Sequence, residues 1–349
     1  MCLGVTRETK MSDEGVWQPS ARKRKPGDAI PGALIRQLRE RKKMTQVQLA
    51  AHLGLPSGEG IVAAWESGRA TCDGPAAELV LRLLGAGTKD IDAELLISSL
   101  NEDWLRTGER SVSFWRQFCC VSETLNRMSD AEWPTLFPTL SIPPEKHVHG
   151  FPFIDAGLPP DVYAVQKEFW VGSIPSDRND YPRYAWMLSR TGQFVYRERP
   201  WEEDPLAITH GHVLAGSLLE LAMEGTFFMT RVFKRWQTSP KGSALVRIDV
   251  HDMKGRGISV SQPGNAMIAD TPPRVSSEDH IEARLEVQIA RVVDDPLGLG
   301  FDLVAALIAT LRQDVANRPA LETELKTRIE NDKRFGESVR FLGYLDGAL

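Results

Sequence analysis

Cysteine is scarce in this sequence of 349 residues, which has four: Cys2, Cys72, Cys119 and Cys120. No Cys-x-x-Cys pair or zinc-type Cys/His spacing occurs, and adjacent cysteines cannot form an unstrained disulfide with each other. Apolar runs are short, because no uncharged stretch reaches the roughly 18 residues of a membrane-spanning helix. The N-terminus also lacks the apolar core of a signal peptide. We therefore expect buried, reduced thiols in a cytoplasmic protein with no membrane partner.

Motifs of common catalytic sites are absent as well, since there is neither a P-loop nor a G-x-S-x-G sequence. Two His-x-His pairs, His147/His149 and His210/His212, lack a third metal ligand at a recognisable spacing. The densest polar cluster is D-V-H-D-M-K at 249–254. A nuclease-like site is one interpretation of it, and a strand that runs into a charged turn is the interpretation we favour. The sequence predicts no catalytic residue, no cofactor and no metal ion.

The charge is distributed unevenly along the chain. The formal net charge is -5, yet residues 20–70 contain ten Lys/Arg and only four Asp/Glu. The residues after position 70 are net acidic. A basic segment on an acidic body is typical of a protein that binds nucleic acid through one part and repels it with the other.

The basic segment contains four predicted helices. Thr45 and Gln48 have the spacing of a capping box, which predicts a helix start, and Gly54 provides a left-handed exit. A fourth helix is expected to begin at Gly74-Pro75, because proline is favoured in a first turn. Short helices joined by tight turns, basic on one side, indicate a helix-turn-helix unit. The apolar residues expected to face its core are Leu34, Ile35, Leu38, Val47, Leu49, Ala50, Leu53, Leu79, Leu81, Leu83 and Leu84. The third helix carries Ile61, Val62 and Trp65.

Two blocks of this segment, T-Q-x-x-L-A-x-x-L-G and W-E-x-G-R, resemble the XRE/Cro type of DNA-binding domain. The tail G-P-A-A-E-L-V-L-R-L-L is similar to the last helix of antitoxin-type members such as HigA-like and MqsA-like repressors. The residues that carry the resemblance are Arg36, Arg39, Thr45, Gln46, Leu49, Ala50, Leu53, Gly54, Trp65, Glu66, Gly68 and Arg69. The resemblance implies that Gln46 contacts the DNA backbone or a base and that residues 57–64 face the major groove.

The connection between the second and third helices, residues 55–60, is about two residues longer than in the XRE/Cro pattern and is rich in helix breakers. The predicted recognition helix presents Glu59, Gly60, Ile61, Ala63 and Ala64, none of which can bind a base edge with two donated hydrogen bonds. We therefore expect contacts mainly to phosphates. The candidate DNA contacts are Arg36, Arg39, Lys42, Lys43, Gln46, Ser57 and Arg69, whereas Leu49 and Trp65 are assigned to the core.

The remaining sequence divides by composition. Residues 1–29 are predicted to be disordered, and their basic run at 22–25 is either a solvated tail or an arm that lies on DNA. Residues 30–86 are the helix-turn-helix domain. Two helices over 89–107 and 110–128 form a helical connector (87–128), and seven prolines mark an extended linker over 129–160.

Residues 161–349 are predicted to form an α+β domain for sensing or dimerisation. We expect a hairpin over 184–199, a long helix over 208–236, strands at 244–250 and 257–261, and a one-sided strand over 281–292. Helices are expected at 296–311 and 319–344. The predicted fold class is multidomain: an all-α helix-turn-helix N-terminal domain, a helical connector and an α+β C-terminal domain.

The sequence favours a homodimeric transcriptional regulator that binds double-stranded DNA and represses its own or a neighbouring operon. Its C-terminal domain would bind a small-molecule effector or a protein partner. One alternative is an antitoxin or adaptor that acts through protein contact. A less favoured alternative is a nuclease directed to DNA by the helix-turn-helix unit.

Overall fold

The computed structural model describes residues 29–30, 32–55, 58–85, parts of 89–100, 115–122, 128–134, 140, 163–165, 169–176, 179–198, 212–236, 242–259, 276–311 and parts of 319–326. Several predictions lie outside these residues. They are the arm over 1–28, Ser57, the residues His147, His149 and His210, and most of the linker and of the segment 319–344.

The basic segment folds into four helices: α1 (Gly32–Arg41), α2 (Gln46–His52), α3 (Glu59–Glu66) and α4 (Gly74–Leu84). The capping box at the start of α2 is confirmed, because Thr45 and Gln48 exchange side-chain and backbone hydrogen bonds. Gly54 has the left-handed φ of 67° expected of a helix exit. The buried core of this domain is Ile30, Leu34, Ile35, Leu38, Leu49, Ala50, Val62, Trp65, Cys72, Ala77, Val80, Leu81 and Leu84.

Two details of the predicted core are wrong. Val47 is 54% exposed. Val47 and Leu49 are two positions apart in α2, so their side chains point about 200° apart around the helix axis, and Leu49 is the one that faces the core. In α4 the buried stripe is Ala77, Val80, Leu81 and Leu84. Leu79 and Leu83 are half-buried beside it.

The rest of the described chain is organised around a seven-stranded sheet in the order β2-β3-β4-β5-β1-β7-β9, in which neighbouring strands are antiparallel. A short parallel pair, β6-β8, lies outside it. The strands are β1 (Arg116–Ser122), β2 (Tyr163–Val165), β3 (Phe169–Ser176), β4 (Asn179–Ser189), β5 (Phe194–Glu198), β6 (His212–Leu214), β7 (Ser243–His251), β8 (Gly257–Ser259) and β9 (His280–Gln288).

One face of the sheet, here called the helical face, packs against α5 (Ala215–Arg235), α6 (Ile289–Asp294) and α7 (Pro296–Thr310). The second face is covered in part by the segment 89–100, whose described residues are helical. Side chains of this segment and of the sheet form a separate apolar cluster: Ala93, Leu96, Ile97, Leu100, Cys119, Val121, Ala185, Met187, Val195 and Leu245. Within the residues described, no helix combines the length and apolar character needed to cross a membrane.

The sequence predicted a helix over 110–128, but the structure has strand β1 there. All seven residues of β1 are buried, so the strand shows no alternation between apolar and polar positions. Cys119 faces the segment 89–100 and Cys120 faces the helices, and with Cys72 they confirm the expected buried thiols. The sheet thus takes one of its interior strands from the segment assigned to the connector.

Two further boundaries differ from the prediction. The long helix begins at Ala215, because His212 lies in β6. The predicted strand over 281–292 divides into β9 and α6, whose Ile289 and Val292 are buried and continue the apolar pattern in a helix. Strand β8 is described over Gly257–Ser259, and the last two residues of the predicted strand lie outside the described residues. The C-terminal region therefore has the expected mixture of an antiparallel sheet and helices.

Candidate nucleic-acid interface and the adjoining polar cluster

The outer surface of α3 is small and almost uncharged. Glu59, Gly60 and Ile61 are exposed, and Ala63 and Ala64 are half-buried. Ile61 is 42% exposed. This surface matches the predicted set, and its chemistry allows apolar contact with a thymine methyl group but no bidentate donation to a base.

Three predicted contacts are exposed cations. Arg36 pairs with Glu40 one helical turn away, at 2.9 Å from Nε to Oε1. Arg69 donates from Nε to the hydroxyl of Ser67 at 2.9 Å. Lys42 is exposed at the end of α1. Solvent-exposed pairs of this kind contribute little to stability, so these side chains can exchange partners at low cost.

Arg39 and Gln46 have a different setting, because both donate hydrogen bonds to Glu66. Arg39 is only 8% exposed; its Nε lies 2.6 Å from Glu66 Oε1 and its Nη1 donates to the Met44 carbonyl at 2.6 Å. The amide of Gln46 donates to Glu66 Oε2 at 2.7 Å. Burial opposes ionisation of Glu66, but these donors outweigh it and hold the pKa of its carboxyl below the ordinary value. The network connects α1, α2 and α3, and a role of Arg39 and Gln46 at DNA stays a prediction.

Lys43, the remaining described candidate, is bound to the C-terminal region. Its Nζ lies 2.8 Å from Oε1 of Glu278, just before β9. The neighbouring Arg41 pairs through Nη2 with Oε2 of Glu282 on β9, at 3.0 Å. We call these two ion pairs the β9–turn contact, since they join the end of α1 and the α1–α2 turn to β9. The two carboxylates were not among the residues predicted from the sequence.

Beside this contact, the second face of the sheet carries a polar cluster: Trp115, Gln117, Arg197, Arg247, Asp249, His251 and His280. Asp249 is fully buried at its centre and accepts from Arg247 Nε at 2.8 Å and from Gln117 Nε2 at 3.2 Å. Nε2 of His280 lies 2.9 Å from the same carboxylate. Burial opposes ionisation of Asp249, but Arg247 and His280 outweigh it and hold its pKa far below the ordinary value.

Rings stack along one edge of the cluster. The imidazole of His251 lies between Trp115 and His280, with ring centroids 3.4 Å and 4.2 Å away. The guanidinium of Arg197 lies 3.7 Å from the centroid of the Trp115 ring. Burial, together with His280 and the nearby arginines, lowers the pKa of His251 to about 2 against the opposing effect of Asp249. His251 is therefore a neutral imidazole at physiological pH.

The possible ligand atoms of Asp249, His251 and His280 all lie within 4.8 Å of one another. Among the residues that the structure describes, these three form the group that could hold a metal ion. Two features oppose this use. Both carboxylate oxygens of Asp249 already accept hydrogen bonds, and the lone pairs of nearly parallel stacked imidazoles do not converge on one point. A metal would have to displace Arg247. Lys254, from the same sequence motif, is exposed and pairs through its backbone with Ser276.

His280 was missed because the predicted strand began at Ile281. The alternation of that strand contained the signal, since extending it by one residue puts His280 on the same face as Glu282. The register then sets His280 opposite His251 and Glu282 opposite Asp249. No comparable signal pointed to Glu278, which precedes the strand.

Comparison with known proteins identifies the N-terminal part alone. Residues 32–93 match the model of a family described as a helix-turn-helix domain. Neither a curated protein nor a solved structure matches the chain. The matched range contains α1 to α4, the capping box and the Arg39–Glu66–Gln46 network. Residues 32–93 therefore form a helix-turn-helix domain of the XRE type, the kind of domain that indicates a DNA-binding regulator.

Proposed function

We propose that this protein is a transcriptional regulator that binds duplex DNA through residues 30–86 and represses its own or a neighbouring operon. The observation that carries the proposal is the set of four helices within the matched range, with a capped α2 and an α3 that exposes Glu59, Gly60 and Ile61. Such units place the second helix of the motif in the major groove and act as dimers on paired half-sites. We accordingly propose a homodimer.

The chemistry of the surface favours binding through phosphates. Arg36, Lys42 and Arg69 are exposed cations, and the N-terminus of α2 offers backbone N–H groups of the kind that bind phosphate. The α3 surface supplies Ile61 and small residues, which distinguish bases weakly. Affinity is then dominated by charge, with sequence read through thymine contacts and DNA shape.

We propose that the C-terminal region binds the effector. Its polar cluster combines two half-buried imidazoles, an indole and two arginines on a sheet face. These groups suit a small polar ligand with a planar part, because rings stack and guanidinium groups pair with anions. The cluster is also connected to the DNA-binding domain, since Glu282 lies within 3.4 Å of Arg247 and 3.0 Å of Arg41.

The decisive experiment is titration of the full chain against its own upstream duplex and a scrambled duplex of equal length, at 50 and 200 mM salt. We expect tighter binding to the upstream duplex and a log–log salt slope of roughly -5, because three exposed cations in each of two protomers neutralise about six phosphates. Arg36→Gln/Lys42→Gln/Arg69→Gln should weaken binding to both duplexes. Arg82→Gln, which removes an exposed arginine of α4 outside the candidate set, is the matched control.

Other outcomes would select other functions. Equal binding to both duplexes would contradict a sequence-reading regulator. Absence of binding, with a stoichiometric protein that co-purifies, would favour the adaptor. Metal-dependent cleavage that disappears in Asp249→Ala would favour the nuclease, for which the Asp249–His251–His280 group is the motivating observation.

A further inference from the structure

We propose that β9 acts as an internal competitor for DNA: Glu278 and Glu282 bind Lys43 and Arg41 at positions where DNA phosphates would otherwise bind. This inference rests on the proposed function and adds a mode of regulation to it. The β9–turn contact would keep part of the phosphate-binding charge neutralised in the free protein. DNA would bind fully only after the two ion pairs have opened.

The position of Lys43 and Arg41 supports competition with phosphate. Lys43 and Arg41 lie two and four residues before Thr45, the N-cap of α2. Lys43 is itself a candidate DNA contact, and Arg41 adjoins Lys42, another candidate, so both cations belong to the proposed phosphate-binding surface. In the structure, the carboxylates of Glu278 and Glu282 bind these cations, with N···O distances of 2.8 Å and 3.0 Å. Carboxylate and phosphate oxygens pair with Lys and Arg in the same way, so one excludes the other.

The two ion pairs differ in strength. Lys43–Glu278 is largely exposed, with side chains 78% and 54% accessible, so it opens readily. Arg41–Glu282 is mostly buried, at 21% and 19%, and Glu282 is also within 3.4 Å of Arg247 in the polar cluster. The second pair therefore links the cations beside α2 to Asp249, through Arg247. A ligand that draws Arg247 or Asp249 away would change the charge available to Arg41.

The test compares DNA affinity of the full-length native protein with that of Glu278→Gln, Glu282→Gln and the double variant, on the upstream duplex at 50 and 200 mM salt. Each substitution keeps the shape of the side chain and removes its charge. We expect each to raise affinity about two- to fivefold, the range that corresponds to a weak ion pair. The salt slope should steepen by about one for each cation released.

Glu286→Gln is the matched control. Glu286 lies on the same strand and pairs with Lys89, which is distant in sequence from the α1–α2 turn. Its substitution changes the net charge by the same amount without releasing Arg41 or Lys43. Affinity equal to that of the native protein is the expected result for this variant.

Three outcomes would overturn the proposal, and they are distinguishable. Equal affinity of the native protein and the double variant would show that β9 does not compete. An increase in Glu286→Gln as large as that in Glu278→Gln would show a general charge effect. If the native protein and every variant failed to bind DNA, the proposed function would fall together with this inference. Because Glu278 is exposed, its variant folds normally even if Glu282→Gln disturbs the sheet.

Discussion

At the scale of the residue, Lys43 combines a charge with an unfavourable backbone. Its φ is 55°, in the left-handed region that side chains with a Cβ rarely adopt. Such a conformation costs about 1–2 kcal/mol for an ordinary residue. The α1–α2 turn therefore places a cation where glycine would be relaxed. The exposed ion pair of Lys43 with Glu278 adds little to stability and does not offset this cost, so lysine makes the turn less stable than glycine would.

Lys43→Gly should separate these two properties. Glycine removes the strain and loses some stability through the flexibility of the unfolded chain, so we expect the free energy of unfolding to exceed that of Lys43→Ala by about 1 kcal/mol. Both variants should bind DNA more weakly than the native protein, to a similar extent, because both lose the cation. Urea unfolding and DNA titration measure the two effects. A glycine variant no more stable than the alanine variant would contradict the argument.

At the scale of the element, strands β7 and β9 keep charged groups on one face and apolar residues on the other. Val246, Ile248 and Ile281 face the helices, while Asp249 and His251 lie on the second face. The buried carboxylate is tolerated because Arg247 and His280 compensate it. The neutral state of His251, with its pKa near 2, has a consequence for stability.

Stability should fall on acidification through His251. Its folded pKa lies below the ordinary value near 6.5, so its contribution is present above about pH 6.5 and is lost as the pH falls, because only the unfolded chain takes up the proton. From pH 7.5 to 5.5 we expect a loss on the order of 1 kcal/mol in the native protein. His251→Phe, which keeps an aromatic ring in the stack, should show less of this loss. His52→Gln, at an exposed histidine of α2, should follow the native curve; a Phe variant that also followed it would contradict the assignment.

At the scale of the whole molecule, the uneven charge has a structural expression. The basic N-terminal domain meets the acidic body at carboxylates spaced four residues apart, Glu278, Glu282 and Glu286. Two of them bind cations that precede α2, and the third binds Lys89, which follows α4. We expect DNA to open the ion pairs of Glu278 and Glu282 and to leave the ion pair of Glu286 intact.

A zero-length carbodiimide crosslink can record this difference in the native protein. We expect an amide bond between Lys43 and Glu278, whose side chains are in direct contact, and another between Lys89 and Glu286. Saturating duplex should lower the yield of the first and leave the second unchanged, since only Lys43 competes for phosphate. Quantitative mass spectrometry of the peptides measures both yields. A first crosslink that was insensitive to duplex would contradict the competition.

The helix-turn-helix domain could be predicted because its signals are local. The capping box at Thr45 and Gln48 and the glycine exit at Gly54 each involve residues a few positions apart. The core positions Leu49 and Trp65 followed from helical spacing. The internal role of Arg39 did not, because its partner Glu66 lies in another helix. Only the folded domain shows that this arginine is buried.

The sheet was harder to predict because β1, one of its interior strands, has no periodic signal. Residues 116–122 pair with 194–198 and with 244–250, and burial on both faces removes the alternation that marks a strand. The β9–turn contact joins residues more than 200 positions apart, and the charge pattern alone does not specify which carboxylate meets which cation. By contrast, strict alternation correctly predicted the two faces of β9.

The place of β1 in the sheet sets an order of events during synthesis. This strand emerges early, yet both of its neighbours, β5 and β7, are translated later, and the second is complete only at His251. The helix-turn-helix domain contains its own contacts and can fold first, because local contacts form quickly and distant strand pairings slowly. A nascent chain therefore passes through a stage in which its DNA-binding unit is formed and its acidic strand is not. During that interval, Glu278 and Glu282 do not yet bind Lys43 and Arg41, so both cations are available to nucleic acid, as they are not in the folded protein.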